Sequence, residues 1–322
     1  MREKRDYMIA IGIDIGGTSI KYAAVDSTGK VFDKEVQEII SGESQEVTIK
    51  KLINNIKDYI NKYNLSDKVS GIGLGIPGSI DTKEGVVTYS NNLNWKELHV
   101  VDLFKKEISL PVKITNDANA AALGEKVFGA GKKYKDVVMI TLGTGVGSGI
   151  IIDGKIYEGL KGKGAEIGHS TLVVNGLDCT CGRKGCFEMY ASATALIRQT
   201  KEAMDLDKAS LMWEEFKQQG KVSGRTAFNA AKKGDETAIK VVDNYVMYLS
   251  EGLLNICNIF RPECIVLSGG IANQGDYLLD KVKAYCKKYD YGYPNSPVTE
   301  IKVAEIGYDS GIIGAACLIL NV

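Results

Sequence analysis

Three cysteines and a histidine crowd into a short stretch of the chain and could together bind a metal ion. These residues are His169, Cys179, Cys181 and Cys186. Three thiolates and one imidazole form a standard closed zinc site, and Gly182 and Gly185 would let the chain turn around the ion. The alternative is a loop of reduced free thiols. The sequence favours structural zinc, because four protein ligands leave no open position for a hydrolytic water.

Two glycine-rich turns follow apolar strand-like runs and could bind phosphate. One is "DIGGT" from Asp14 to Thr18, and the other is "TLGTGVGSGI" from Thr141 to Ile150. Glycine permits a positive φ, which lets successive N–H groups converge on an anion, and threonine adds a hydroxyl donor. Taken singly, each turn could equally be a plain hairpin. The shared plan of the two segments indicates a duplicated domain.

The common nucleotide signatures are missing or fail on context. No G-x-x-x-x-G-K-[ST] pattern occurs, which argues against a P-loop protein. "GLGIPG" from Gly73 to Gly78 satisfies G-x-G-x-x-G. However, Pro77 removes an N–H, and a turn rather than a helix is expected after it. The Rossmann interpretation therefore fails.

Four acidic residues could carry chemistry. Asp14, at the end of the first strand, could hold Mg²⁺ beside a polyphosphate or could be a turn residue. Asp117, at the start of a helix, could be the N-cap or a general base, and the sequence alone does not decide. Glu166 and Glu188 flank the cysteine cluster and would suit a ligand rich in hydroxyl groups. The alternative for each is a solvated surface position.

Composition excludes several classes of protein. The 322 residues carry 40 basic and 40 acidic side chains, so no long nucleic acid or anionic membrane is expected as a partner. The basic start resembles a signal peptide, but its apolar run meets Asp14 too early. The odd cysteine total argues against a disulfide framework. We expect a cytoplasmic protein.

Strands and helices alternate along the sequence, which predicts the α/β class. Strands are expected as three runs within 7–39, then at 69–76, at 112–115, as a cluster within 137–157, and from Cys264. Helices are expected at 44–64, at 118–128 (capped by Asn116 or Asp117), at 237–260 and at 310–320. The segment 203–224 matches no motif and is interpreted as a helical insertion.

Six motifs in order resemble the ROK family of repressors and sugar kinases, and within it the bacterial glucokinases. They are "DIGGTSIK", "GIPGSID", "NDANAAALGE", "TLGTGVGSGI", "GAEIGH" and "CTCGRKGCFE". The resemblance runs from about Met8 to the last helix. It implies a duplicated actin-like ATPase fold, ribonuclease H-like, with two α/β domains around a cleft. The first domain would cover 1–117 and be completed by the C-terminal helix at about 306–322. The second would cover 118–305 and carry the zinc loop.

The resemblance also implies an ATP- and Mg²⁺-dependent sugar kinase, with Asp117 as the catalytic base. Its sugar ligands would be Gly78, Asn92, Asn116, Asp117, Glu166, His169 and Glu188. Its ATP-binding residues would be Asp14, Gly16, Gly17, Thr18, Gly143, Thr144, Gly145, Gly147, Gly269 and Gly270. Structural Zn²⁺ would be held by His169, Cys179, Cys181 and Cys186.

The resemblance leaves the substrate open. Glucose, phosphorylated on its 6-hydroxyl, is the first expectation, and N-acetylmannosamine, fructose or a β-glucoside are alternatives. A non-catalytic sugar-responsive regulator is the other alternative. Only thirteen residues precede Asp14, which we expect to be too few for a DNA-binding module. A homodimer is expected from the family.

Overall fold

The computed structural model describes residues 8–320. The first seven residues and the last two, which belong to the predicted first domain, lie outside the described residues, as does the basic start of the leader-like segment. Within residues 8–320, no helix combines the length and apolarity that crossing a bilayer requires.

Strands and helices alternate along the described chain. The strands are β1 (Ile9–Ile15), β2 (Ser19–Asp26), β3 (Val31–Glu38), β4 (Val69–Ile76), β5 (Ser79–Asp81), β6 (Val86–Ser90), β7 (Trp95–Leu98), β8 (Val112–Asn116), β9 (Val137–Leu142), β10 (Val146–Ile152), β11 (Lys155–Ile156), β12 (Cys264–Ser268) and β13 (Glu300–Val303). The helices are α1 (Gln45–Lys62), α2 (Val100–Lys105), α3 (Asp117–Phe128), α4 (Glu188–Ala191), α5 (Ala193–Leu206), α6 (Met212–Gln219), α7 (Thr226–Lys232), α8 (Glu236–Phe260), α9 (Asp276–Tyr289) and α10 (Ser310–Leu320).

Two five-stranded sheets within the described chain repeat one strand order. The first runs β3-β2-β1-β4-β8, and the second runs β11-β10-β9-β12-β13. In the first, β2 is antiparallel to β1 and β3, while β4 is parallel to β1 and β8. In the second, β10 is antiparallel to β11, while β12 is parallel to β9 and β13. The matching order confirms the predicted α/β class and the duplication that the two glycine turns indicated.

The chain forms two compact units. The first unit comprises 1–133, 149–165 and 305–322, and the second comprises 134–148 and 166–304. A small sheet of order β5-β6-β7 also belongs to the first unit.

The C-terminal helix α10 packs against the first sheet at very short range. A Cβ atom at Gly12 of β1 would lie 2.0 Å from the carbonyl oxygen of Ile312, and one at Gly73 of β4 would lie 1.8 Å from that of Ala315. Only glycine leaves room for such an approach of helix backbone to strand backbone. These two strand glycines therefore allow close packing of α10, whose first turn lies beside Asp14.

The predicted elements agree closely with the observed ones. Helix α1 begins after Ser44, whose side chain accepts a hydrogen bond from the N–H of Val47. Helix α3 begins after Asn116, whose side chain accepts from the N–H groups of Ala118 and Asn119. Asn116, rather than Asp117, is therefore the N-cap. The segment 203–224 contains the end of α5 and all of α6, which confirms its helical character.

Candidate functional site

The predicted metal ligands lie together in the second unit. One ligand atom from each of His169, Cys179, Cys181 and Cys186 lies within 4.8 Å of the others. Cys179 Sγ is 3.7 Å from His169 Nδ1, and Cys181 Sγ is 3.6 Å from Cys186 Sγ. Ligands at the usual 2.3 Å from a tetrahedral zinc are about 3.8 Å apart, which these separations match. The donor set and its spacing fit a closed zinc site.

The local backbone explains how this short loop brings the thiols together. Cys179 N donates to Arg183 O at 2.8 Å, and Gly182 N donates to Cys179 O at 3.0 Å, which closes a tight turn. Gly182 and Gly185 have φ of +88° and +72°, a region that favours glycine. A Cβ atom at Gly185 would also lie 1.6 Å from Val173 O. The two glycines therefore have the turn-forming role that the sequence predicted for them.

Burial and local hydrogen bonding shift the pKa values of two of the thiols in opposite directions. Burial raises the pKa of Cys186 to about 12, and the neighbouring Cys181 and Cys179 thiols add to the effect. The backbone at Arg183 lowers the pKa of the exposed Cys181 by hydrogen bonding to its sulfur. A bound cation would compensate for burying a thiolate at Cys186.

Glu188 links the metal cluster to the glycine turn between β9 and β10. Its Oε2 atom accepts a hydrogen bond from Val146 N at 3.1 Å, and its Oε1 atom is 3.8 Å from Cys179 Sγ. A Cβ atom at Gly145 would lie 2.2 Å from Oε2. Glycine at 145 therefore makes room for the carboxylate that binds the turn.

The same turn is held from the start of α5. Ala193 N donates to Gly143 O at 2.8 Å, and Thr194 Oγ1 donates to Thr144 O at 2.7 Å. Across the base of the turn, Gly147 N donates to Thr141 Oγ1 at 3.1 Å. These contacts fix a turn whose Gly143 has open space where a side chain would stand.

Gly269 and Gly270 follow β12 and lie beside this turn. Gly269 has φ of +88°, and a Cβ atom there would lie 2.6 Å from the carbonyl oxygen of Leu142. Ile271 N donates to the same carbonyl at 3.4 Å. Two of the three segments that the resemblance assigned to ATP are therefore adjacent in the second unit.

The segment that carries Glu166 and His169 packs on β10. Ile167 N donates to Ser148 Oγ at 3.2 Å, and a Cβ atom at Gly168 would lie 2.0 Å from Val146 O. Glu166 is exposed, and His169 is half-buried within the metal cluster. The second unit thus brings together the cluster, the glycine turn and the Glu166–His169 segment.

In the first unit, Asp14 lies at the end of β1 beside the start of α10. A Cβ atom at Gly311 would lie 2.8 Å from the carboxyl carbon of Asp14. Burial raises the pKa of Asp14 above its usual value of 3.8; Lys21 partly offsets this and Asp309 reinforces it. A carboxylate in this position gains from a bound cation, because the cation would offset its desolvation.

Asn116 is held from both sides. Its amide nitrogen donates to Gly78 O at 3.0 Å, while its amide oxygen accepts from Ala118 N at 2.8 Å. Gly78 has φ of +116°, and a Cβ atom there would lie 2.3 Å from Tyr89 O. The backbone at Gly78 and the start of α3 are thereby fixed relative to each other. Asp117, the first residue of α3, is half-buried.

Asp14 and Asp117 both flank Gly75 of β4. Gly75 is the register partner of Asp14, and a Cβ atom at Gly75 would lie 3.5 Å from the Cα of Asp117. Asp14 and Asp117, the acids that the resemblance assigned to Mg²⁺ and to base catalysis, therefore lie at the carboxyl ends of parallel strands of the first sheet. Asn92 is exposed in the turn between β6 and β7, two residues after Ser90, which packs against Gly78.

The glycines of the two phosphate turns do not adopt the conformation that the sequence argument invoked. None of the turn glycines has a positive φ angle; these are Gly16, Gly17, Gly143, Gly145 and Gly147. Positive φ angles occur instead outside the two turns, at Gly78 and Gly269. That part of the prediction was wrong. Glycine at 145 is explained by close approach, since Glu188 takes the space of a side chain, and Gly17 and Gly143 face open space.

Two glutamates were not given a role from the sequence. Glu158 accepts from Thr82 Oγ1 at 2.6 Å and from Thr115 Oγ1 at 3.4 Å, next to Asn116. Glu125 is fully buried and accepts from backbone N–H groups on two segments. No local pattern marks either residue, because most of their partners are distant in sequence.

Residues 10–322 match the ROK family. The chain is 36% identical to a glucokinase of Halalkalibacterium halodurans, over 96% of this chain and 94% of that protein. It is 30% identical to a xylose repressor of Bacillus subtilis, over 97% of this chain and 77% of that protein. It resembles the crystal structure of a ROK family glucokinase from Streptomyces griseus in complex with glucose and AMPPNP. That match has a TM-score of 0.79 and 32% identity, over 98% of this chain and 100% of that one.

The chain belongs to the ROK family, with the actin-like ATPase fold that the resemblance implied.

Proposed function

We propose that this protein is an ATP-dependent hexose kinase that transfers the γ-phosphoryl group to the 6-hydroxyl of glucose. The observation that carries the proposal is the position of the Asp117 backbone beside Gly75, the register partner of Asp14, directly after an N-cap bonded on both sides. The Streptomyces griseus relative holds glucose and an ATP analogue in a similar fold. A carboxylate on a backbone that is fixed at a helix start is suited to general base catalysis.

In the proposed reaction, Asp117 accepts the proton of the sugar hydroxyl as its oxygen attacks the γ-phosphorus. The new O–P bond forms while the bond to the β-phosphate oxygen breaks, which releases ADP. Phosphoryl transfer depends mainly on positioning and on stabilising charge. The N–H groups of the two glycine turns would bind the phosphates, and Asp14 would hold Mg²⁺, which supplies further positive charge.

The proposed sugar ligands are those that the family resemblance implies. They are Gly78, Asn92, Asn116, Glu166, His169 and Glu188. The zinc ion would be held by His169 and the three cysteines of the cluster and would have a structural role. It would fix His169 and Glu188 at one end of the glycine turn.

The test is release of ADP by the purified protein with Mg-ATP and each of glucose, N-acetylmannosamine, fructose and a β-glucoside. We expect turnover with glucose and a loss of at least about a hundredfold in Asp117→Asn, the usual range for removing a general base. Asp102→Asn, an exposed acid in the first turn of α2, is the control for loss of a negative charge at a helix start.

A sugar-responsive regulator is the second candidate, because the Bacillus subtilis xylose repressor is 30% identical to this chain. It would bind a sugar without turnover. The same assay, paired with calorimetric titration of each sugar, separates the candidates. Binding without ADP release from any sugar would favour the regulator and would contradict the kinase.

A further inference from the structure

A cavity of about 560 Å³ lies in the second unit between α8, α9 and the segment that leads into β13. We propose that it binds a small amphipathic anion with an apolar body and a single carboxylate head. The volume is within the range of small-molecule sites. Nothing in the proposed kinase reaction uses this cavity.

The floor of the cavity is apolar. Leu254 and Cys257 of α8, Cys286 of α9 and Ile301 of β13 line it, and all four side chains are buried. Burial raises the pKa of Cys257 and raises that of Cys286 to about 12, so both thiols stay uncharged at neutral pH. Neutral thiols behave as small apolar groups. The floor would therefore accept a hydrocarbon body.

Apolar side chains also remain exposed at the mouth. Tyr293 is 39% exposed and Val298 is 59% exposed, and both line the cavity. Their exposure leaves apolar surface that an amphipathic ligand would cover.

The acidic residues that line the cavity already have partners. Asp290 accepts from Arg261 with both carboxylate oxygens at 2.8 Å. Glu300 accepts from Tyr134 Oη at 2.8 Å and lies 3.7 Å from Lys302. Neither acid is available to neutralise the lysines at the rim.

Lys283 and Lys287 line the rim one helical turn apart on α9. Among the described residues, neither forms an ion pair; Lys287 lies 5.6 Å from the ring centroid of Tyr293. By contrast, Lys281 of the same helix binds Asp243 at 2.8 Å. The rim therefore has unneutralised positive charge above an apolar floor, which selects an anionic head on an apolar body.

The test is calorimetric titration of the full chain with octanoate, with 1-octanol and acetate as probes of the body and the head alone. We expect octanoate to bind and each partial probe to bind more weakly. The double variant Lys283→Gln/Lys287→Gln should raise the octanoate Kd by about fivefold or more, since two ammonium contacts are lost. Lys281→Gln is the matched control and should leave the Kd unchanged.

A second variant tests the apolar mouth. Val298→Asp adds a carboxylate at an exposed position, so it should weaken octanoate binding while the protein stays folded. Ile259→Asp, at a 72% exposed position of α8 outside the lining, is its control. The proposal is overturned if octanoate does not bind, if 1-octanol binds as tightly, or if the lysine and Val298 variants bind like the wild type.

Discussion

Glu188 and Val146 are joined by a hydrogen bond of 3.1 Å, from the backbone N–H of Val146 to Glu188 Oε2. The other carboxylate oxygen of Glu188 is 3.8 Å from Cys179 Sγ in the metal cluster. One side chain therefore connects the metal cluster to the turn proposed to bind phosphate. The family resemblance implied only one role for Glu188, which is a contact with the sugar.

Replacing Glu188 by alanine should weaken nucleotide binding. The Val146 N–H would lose its acceptor, so the glycine turn would lose one of the contacts that hold it in place. We therefore expect the Kd for AMPPNP to rise about tenfold, or about 1.4 kcal/mol of binding free energy. Glu188→Gln keeps a carbonyl acceptor and should recover most of the affinity. Fluorescence titration without sugar measures this, with the exposed Glu166→Ala as control. Wild-type affinity in Glu188→Ala would contradict the proposed link.

Glu125 should be a large contributor to the stability of the first unit. Its carboxylate accepts from Ala130 N at 3.0 Å, Glu305 N at 3.1 Å and Ile306 N at 2.8 Å. Glu125→Gln keeps the volume but turns an NH₂ group toward one set of N–H donors. We expect a loss of about 2–4 kcal/mol in the free energy of unfolding, measured in urea. Exposed Glu305→Gln is the control. A Glu125→Gln variant that loses no more unfolding free energy than this control would contradict the proposed role of Glu125.

Asp14 should lower the free energy of unfolding at neutral pH, because a buried carboxylate is costly until a cation binds it. Because burial raises its pKa in the folded state above 3.8, the folded protein binds more protons than the unfolded chain just above that pH. Stability from this group is therefore present below pH 3.8 and is lost as the pH rises through the folded pKa. We expect Asp14→Asn to be more stable than the wild type at pH 7, with the difference shrinking toward pH 4.

The same variant should gain less thermal stability from Mg-ATP than the wild type does, because the proposed cation ligand is gone. Exposed Asp58→Asn is the control for both measurements. A variant that is less stable at pH 7, or that responds fully to Mg-ATP, would refute this account of Asp14.

Removal of the metal should loosen the cluster. We expect the purified protein to contain about one zinc per chain, the stoichiometry of a closed Cys₃His site. Cys186→Ser should lose the metal and melt at a lower temperature, whereas Cys257→Ala, outside the cluster, should keep it. Elemental analysis and calorimetry measure these outcomes. A Cys186→Ser protein with full zinc content would exclude the cluster as the metal site.

The sequence predicted those elements whose signals are local. The helical spacing after Ser44 gave α1, and the glycines at 182 and 185 predicted the turns of the metal loop. It could not predict that Glu125 accepts hydrogen bonds from Glu305 and Ile306, which lie about 180 residues further along the chain. It also assigned the wrong reason to Gly145, since the close approach of Glu188 depends on tertiary packing. The proposed domain boundaries and the homodimer stay predictions.

The most direct measurement follows label from γ-³²P-ATP into sugar phosphate, with glucose and 6-deoxyglucose as acceptors. The account predicts transfer to glucose by the wild type, none to 6-deoxyglucose, and a loss of about a hundredfold or more in Asp117→Asn. Transfer to 6-deoxyglucose, equal transfer by Asp117→Asn, or no transfer to any hexose would contradict it.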